Sequence, residues 1–477
     1  MNSELREIAP LLDAYLSYFE SSRTAFTIPG HKQKAHRLDA GLGAVVDSDT
    51  PLYGGLDEIK LTEGTLKRAE ALAASFWGAD YARFSTGGST HANQAIILAL
   101  GKPGDKIAVS RTAHRSVLSA LVLSGLEPIW LTPEINEATG VPIGIPLSQL
   151  EQALDQKPIA LLLTEPGYLG TISDLPALIS MAHANSIPVI IDAAWGGHFG
   201  FNSQLPKHVI QLGADALITS VHKALPGYSA SALLLAQGKF LNLARIEQSF
   251  ETTHTTSPAG APLASIDGCR ALLQTRGDQL TGELLAHVDS FKSAMQSEFA
   301  VPIFLNASQF AAGRFDPVKI VLRANELGLS GVAVERELQK SNIRVEMADQ
   351  DTIVFLATLA DNAEDFKVLR EALLPILKKL QGPTRESATS LSWSVVPIVA
   401  ISLREAFFAD TQYVKALDAI GRVSADLIAP YPPGVAVVAP GEVLTEEIIN
   451  GLAASQKAGV RIAYASDPTL TSYRVIK

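Results

Sequence analysis

The strongest constraint on the fold of this chain lies between residues 189 and 236, where two apolar runs each deliver ionisable residues at their C-terminal ends. Residues 189–191, Val-Ile-Ile, close on Asp192 and lead into Ala193-Ala194-Trp195-Gly196-Gly197-His198-Phe199. Residues 214–219 close on Ser220-Val221-His222-Lys223, and a second small-residue run, SASALLLA, follows. An open parallel α/β sheet builds its site in this way, outside the carboxyl ends of its strands. Taken singly, Asp192 is a turn or helix cap and Lys223 a solvated lysine. As a pair flanked by glycines, which let backbone approach whatever sits between them, they mark a site.

The chain before this pair alternates strand and helix. Residues 81–100, YARFSTGGSTHANQAIILAL, read as a strand, a Gly-Gly-Ser-Thr turn at residues 87–90 and a helix. Such a turn aims free N–H groups and hydroxyls from the positive end of a helix, which is a seat for phosphate as well as a plain connector. Strands at 106–110, 128–131 and 159–164 alternate with helices at 147–154 and 175–185, which predicts a mostly parallel sheet with helices on both faces. His114 falls at a strand-to-helix junction, a position for a cap or for an imidazole laid on a cofactor ring. A lysine and a carboxylate at strand ends beside a phosphate seat suit pyridoxal phosphate, with a Schiff base on Lys223 and Asp192 at the pyridine nitrogen.

Composition narrows the alternatives. Hydrophobic residues make up 47% and charged residues 18% of the 477, a balance that describes a folded protein with a large core and more than one domain. The single cysteine, Cys269, excludes a disulfide framework and a cysteine-built metal site, and no metal is expected. The net charge of -10 argues against non-specific nucleic-acid binding. The N-terminal residues carry no signal-like apolar segment, and the most apolar run, VVPIVAISL, stops at Arg404, short of a membrane span. A cytoplasmic protein is expected.

Elsewhere, residues 5–19 have the spacing of one amphipathic helix, with Leu5, Ile8, Leu11, Leu12, Tyr15, Leu16 and Phe19 on its buried side. FTIPGHKQ, residues 26–33, is a turn. Glu165, Tyr168 and Thr171 sit in a loop after the strand at 159–164. A long helix ends near Phe299, and residues 301–385 read as a compact α+β unit. Beyond it, Tyr431-Pro432-Pro433-Gly434 and Pro440-Gly441-Glu442 bracket a short apolar strand, and Glu442 is expected to cap the helix that follows, in preference to reaching a partner's active site. The expected division is an N-terminal docking segment (1–50), a large cofactor-binding domain (51–300), a small α+β domain (301–385) and a C-terminal α+β module (386–477).

Together these motifs resemble the bacterial, aminotransferase-like family of PLP-dependent ornithine/lysine/arginine decarboxylases, over nearly the whole chain. FTIPGHKQ, GGSTHANQ, AHRS, IDAAWGGHFGF, SVHKALPG, THTTSP and YPPGVAVVAPGE occur in the family's order. The resemblance implies the PLP-dependent transferase fold of type I, with a mostly parallel, seven-stranded type of sheet, in the short form without a wing domain. It implies that Lys223 holds the cofactor, that Asp192 binds its ring nitrogen, that His114 stacks on the ring and that Ala194 and Trp195 line the ring's other side. Gly88, Ser89, Thr90, Ser220 and His222 would surround the phosphate, with Thr256 supplied by the facing subunit of a homodimer. Lys223 or His222 would return the proton after CO2 leaves. The chain has Ala193 where the family usually has an acidic residue, and Val221 where it usually has threonine. Arginine, lysine and ornithine all remain open as substrates, giving agmatine, cadaverine or putrescine. Another type I enzyme (an aminotransferase or β-lyase) and a non-catalytic regulatory relative are the alternatives. CO2 release separates the first alternative from a decarboxylase, and turnover of any kind excludes the second.

Overall fold

The computed structural model describes residues 3–20, 29, 31–38, 40–52, 56–57, 64–137, 139–387, 391–431 and 434–477. Its centre is a seven-stranded sheet: β1 (Tyr81–Ser85), β2 (Lys106–Ser110), β3 (Glu127–Leu131), β4 (Leu161–Thr164), β5 (Val189–Asp192), β6 (Ala216–Ser220) and β7 (Ala232–Ala236). The spatial order is β1-β7-β6-β5-β4-β2-β3. Only β7 runs against its neighbours; the other pairings are parallel.

The continuous apolar runs are explained by helices on both faces. Alternate residues of each strand divide between two cores: Leu161, Leu163, Val189 and Ile191 enter one, while Leu162, Ile190 and Ile218 enter the other. The second face is covered by the helices Gly88–Leu100 and Arg115–Ser124, the first by Thr65–Trp77, Leu147–Leu154 and Leu175–Ala184. Ile190 is wholly buried, and truncating such a residue to alanine costs about 2–5 kcal/mol. The register pairs Thr164 with Asp192 and Asp192 with Ile218, so the strand ends that carry the motif residues lie side by side.

The N-terminal helix is two helices, Ser3–Ile8 and Pro10–Glu20, because Pro10 begins a new one. Buried Asp267 of the long helix Gly260–Gln296 accepts the Leu11 N–H at 2.8 Å and the Leu12 N–H at 3.3 Å, and Arg270 donates to the Ile8 carbonyl. Leu11 is fully buried, but Leu16 and Phe19 are 46% and 43% exposed, so the expected apolar face is only partly used. Of FTIPGHKQ, residues 26–28 and 30 lie outside the described residues, and His31 pairs with Asp49 at 3.1 Å.

After the long helix, an antiparallel sheet of Ile320–Arg323, Thr352–Phe355 and Met347–Ala348 packs with the helices Gly331–Lys340 and Ala363–Leu380. The last segment pairs Thr411–Lys415 with Ser472–Ile476 and Ala429–Tyr431 with Arg461–Ala463, around a core that includes Ile428, Val437, Leu444, Leu452 and Val475.

Two expectations fail in this segment. Between Tyr431 and Pro440 there is a single bridge, Ile428 to Val438, and no strand among the described residues. Two of the backbone groups that a ladder would use are taken by side chains: Arg111 donates to the Val437 carbonyl at 3.0 Å, and Glu442 accepts the Ala439 N–H at 2.7 Å. Nor does Glu442 cap the next helix, Glu446–Lys457; Thr445 does, accepting from Ile448 N–H. Glu442 instead forms a buried bidentate pair with Arg111, at 2.6 and 2.8 Å. Among the described residues no helix is long and apolar enough to cross a membrane.

Candidate active site

The strand ends open onto a cavity of about 450 Å³. Asp192 ends β5 with a side chain 1% exposed, accepting Asn93 Nδ2–H at 2.8 Å and the Ala194 N–H at 3.2 Å. From the same turn, Ala194 and Trp195 form part of the wall. Past β6, the Ser220–Lys223 loop folds back on itself. Val221 N–H donates to the Ser231 carbonyl, and Gly227 N–H donates to the Val221 carbonyl at 2.7 Å, where a Cβ on Gly227 would come within 2.6 Å of that oxygen. Lys223 therefore enters the cavity beside Trp195, its Nζ 4.4 Å from the indole centroid.

Across the cavity, Gly88, with φ of 68°, begins the helix Gly88–Leu100, which has no side-chain cap. Its first turn brings Ser89 and Thr90 to the cavity, with Ser89 Oγ 2.8 Å from Ser220 Oγ. His222 completes this wall; its Nδ1–H donates to the Ser231 carbonyl at 3.0 Å, which leaves Nε2 as the nitrogen without that hydrogen. His114 both caps its helix and lines the cavity, so the structural and functional readings hold together. Its Nδ1 accepts from Ser116 N–H at 3.2 Å and lies 2.8 Å from Ser116 Oγ. Asn93 Nδ2–H also donates to that Oγ, so one hydrogen-bonded chain runs from Asp192 through Asn93 and Ser116 to His114.

Burial holds the Lys223 ammonium below its ordinary range, against the opposing charges of Asp192 and Glu346. Burial also lowers His114, as do Lys223 and Arg115, while Asp192 pulls it up. A second ammonium, Lys319 Nζ, lies 4.0 Å from the Trp195 centroid. Burial brings Lys319 down to about 8, against Asp316 and Glu346 and with help from Lys223.

Every site residue expected from the sequence lines this cavity except Thr256, which is exposed and lies outside it. Ala193 and Val221, the two departures, are buried in the core and do not line it. Glu165 is also structural: its buried carboxylate accepts from Ser173 N–H and Oγ–H, and burial raises it to about 7. What sequence reasoning missed is the rest of the lining: Glu346, Trp393, Tyr431, Gly434 and Tyr464, which join Tyr168 of the expected loop. Glu346 precedes the strand Met347–Ala348, is held by its N–H to the Val354 carbonyl at 3.0 Å, and accepts Tyr168 Oη–H at 3.0 Å. Asn93 and Ser116 stood inside quoted motifs, but nothing in their spacing tied them to Asp192.

The donor set fits pyridoxal phosphate. An uncapped helix N-terminus with two hydroxyls beside it receives an anion, a buried carboxylate with two fixed donors receives a protonated ring nitrogen, and a lysine of lowered basicity receives a carbonyl.

Comparison with known proteins agrees. The family model for the Orn/Lys/Arg decarboxylase major domain matches residues 9–312, and that for the family's C-terminal domain matches residues 395–462. An arginine decarboxylase of Bacillus subtilis is 33% identical over 98% of this chain and 98% of its own. Lysine decarboxylase A from Pseudomonas aeruginosa shares the fold, with a TM-score of 0.83 at 19% identity over 99% of this chain and 81% of its own. Ureidoglycine-glyoxylate aminotransferase from Bacillus subtilis shares the fold over 66% of this chain and 84% of its own, with a TM-score of 0.53 at 15% identity. A match through more than half of the chain, and a relative at this identity over nearly all of it, place the chain in the Orn/Lys/Arg decarboxylase family, enzymes that remove the α-carboxylate of a basic amino acid.

Proposed function

We propose that this chain converts arginine to agmatine and CO2 with pyridoxal phosphate held by Lys223. The observation that carries this reading is one cavity lined by Lys223, Asp192 and His114 together with Glu346, whose carboxylate suits a cationic head. The relatives named arginine decarboxylase support the choice of arginine.

Bound there, the cofactor supplies an electron sink for the pair left when the Cα–carboxylate bond breaks. Asp192, fixed by Asn93 and the Ala194 N–H, holds a proton at the ring nitrogen and so keeps the sink strong. His114, its Nδ1 occupied by Ser116, offers the flat face of its imidazole to the ring. Ser89, Thr90, Ser220, His222 and the open end of the helix bind the phosphate. Trp195 lines the wall beside Lys223 and narrows water's access to the reacting carbon. Cα then takes its proton from Lys223 Nζ, whose basicity burial lowers, or from His222 in the form that carries a proton on Nε2 as well as on Nδ1.

In this reading Thr256 serves the phosphate of a facing copy in a homodimer, which is supported by its exposure and by its not lining its own cavity. The lone cysteine and the lack of a membrane-length helix among the described residues support a cytoplasmic setting.

The test is CO2 and amine release from arginine, lysine and ornithine by purified protein with added pyridoxal phosphate, beside Lys223→Ala. Arginine should give CO2 and agmatine, and Lys223→Ala should lose both the activity and the bound-cofactor absorbance. Absence of CO2 from all three substrates would overturn the reading.

A further inference from the structure

Tyr464 stands out on backbone grounds. It follows the strand Arg461–Ala463 with φ of 68°, a left-handed conformation that costs a bulky residue about 1–2 kcal/mol and that glycine or asparagine adopts more easily. The position nonetheless carries a tyrosine whose ring lines the cavity. Facing it is Gly434, with φ of 81°, where a Cβ would meet Tyr431 Cδ2 at 3.1 Å and the Tyr464 hydroxyl at 3.8 Å. The two rings thus approach across a residue without a side chain. They remain 45% (Tyr431) and 38% (Tyr464) exposed, whereas Tyr473 of the same segment is 2% exposed in the core. The Tyr168 hydroxyl, which donates to Glu346, lies within the electrostatic reach of both Tyr431 and Tyr464.

The outer support of the ring is also built. The Arg115 guanidinium sits 4.6 Å from the Tyr464 ring centroid. Arg115 directly follows His114 in the first turn of its helix and is not a cavity-lining residue. The ring is therefore tied to the turn that carries His114.

We infer that Tyr464, paired with Tyr431 across Gly434, is the specificity-determining surface that receives the planar guanidinium of the substrate in preference to an ammonium. The inference rests on the decarboxylase reading above. A guanidinium is planar and weakly hydrated, stacks on aromatic rings and needs one carboxylate for its fork; an ammonium is compact, strongly hydrated and asks for several oxygen acceptors. Apart from Asp192, which is held by Asn93 and the Ala194 N–H, the lining offers one carboxylate, Glu346, already accepting from Tyr168, together with the rings of Tyr168, Trp393, Tyr431 and Tyr464. Arg115, outside the cavity, already holds its guanidinium 4.6 Å from the same ring and acts as a positioning residue for Tyr464.

The experiment compares wild type, Tyr464→Gly, Tyr464→Phe and Tyr431→Leu as holoenzymes. It measures the bound-cofactor absorbance, thermal midpoint, calorimetric Kd for agmatine and cadaverine, and kcat and KM for arginine and lysine. Tyr464→Gly relieves the backbone strain, so its midpoint should stay level or rise with the absorbance retained. Its agmatine Kd should rise roughly tenfold and its cadaverine Kd by less than about twofold. The arginine-to-lysine ratio of kcat/KM should fall by a similar factor, carried by KM, and Tyr464→Phe should restore it. Equal weakening toward both amines, or no change in agmatine Kd in a folded variant, would overturn the inference. Should Tyr464→Gly fail to fold, Tyr431→Leu carries the same comparison. A wild type that releases no CO2 from any basic amino acid defeats the reaction, while the agmatine Kd still decides the role of the ring.

Discussion

The residues of the cavity lining that we propose as a cofactor end and a cation end are built in different ways. The cofactor end comes from turns that directly follow β1, β2, β5 and β6, so the register of one sheet sets Gly88, His114, Asp192 and Lys223 against each other. The cation end is assembled from Tyr168 and from residues far along the chain, Glu346, Trp393, Tyr431 and Tyr464, each from a segment that has to dock first. Strand ends supply positions exact enough for chemistry, since a ladder fixes neighbouring strands along their whole length. Docked segments supply a wall that can change its residues without disturbing the ladder, which is where selectivity can vary within one scaffold.

The largest expected effect lies at the cofactor end. Asp192→Ala should lower kcat by about a thousandfold with little change in KM, because the carboxylate acts on the developing charge and not on the substrate's cationic head. Asn93→Leu, which frees one oxygen of that carboxylate, should lower kcat by a smaller factor in the same direction. A purified Asp192→Ala protein with near-normal kcat, or with its defect in KM alone, would break the division between the two ends.

The same division explains what could be read from the chain. Asp192 and Lys223 were legible because a residue that ends an apolar strand needs only local pattern to be located, and Gly88–Thr90 because a glycine turn opening a helix is a local signal too. Glu346 lies two strands across a small sheet from Lys319 and carries no motif; its approach to Lys223 depends on how that sheet sits on the large one. The apolar run at residues 435–439 reads as a strand because burial and alternation look alike in sequence. Its backbone partners are Ile428, through one isolated bridge, and the side chains of Arg111 and Glu442, all outside the run. Pro10 was visible from the start, yet the apolar spacing around it was continuous enough to suggest one helix where there are two.

Arg111 and Glu442 form the joint between the two ends: Arg111 comes from the turn after β2, three residues before His114, and Glu442 from the segment that carries Tyr431 and Tyr464. Both side chains are almost completely buried, so Glu442→Leu leaves an unpaired guanidinium and should destabilise the protein by roughly 3–5 kcal/mol, read from urea unfolding. The double variant with Arg111→Leu should recover much of that loss, because neither buried charge remains. If the joint serves the cation end, the double variant should keep its cofactor absorbance while its KM for arginine rises. A double variant as unstable as Glu442→Leu alone would mean that the pair contributes more than the burial of its charges.

The smallest effect, and the sharpest separation of the ends, is expected at Glu346. Glu346→Gln keeps the shape and the acceptor for Tyr168 but removes the charge, so it should leave the cofactor absorbance intact and lower kcat/KM for arginine by roughly ten- to hundredfold, mostly through KM. Its charge also acts at a distance, since it opposes the fall in basicity that burial imposes on Lys223 and Lys319. Removing it takes away a stabiliser of both ammoniums, so the neutral Lys223 amine becomes available at lower pH. Capture of pyridoxal phosphate by the variant should then reach its half-maximal rate at a lower pH than in wild type. A shift toward higher pH, or a defect confined to kcat, would mean that Glu346 belongs to the cofactor end, and the two ends would then be one electrostatic unit in which selectivity and chemistry cannot vary separately.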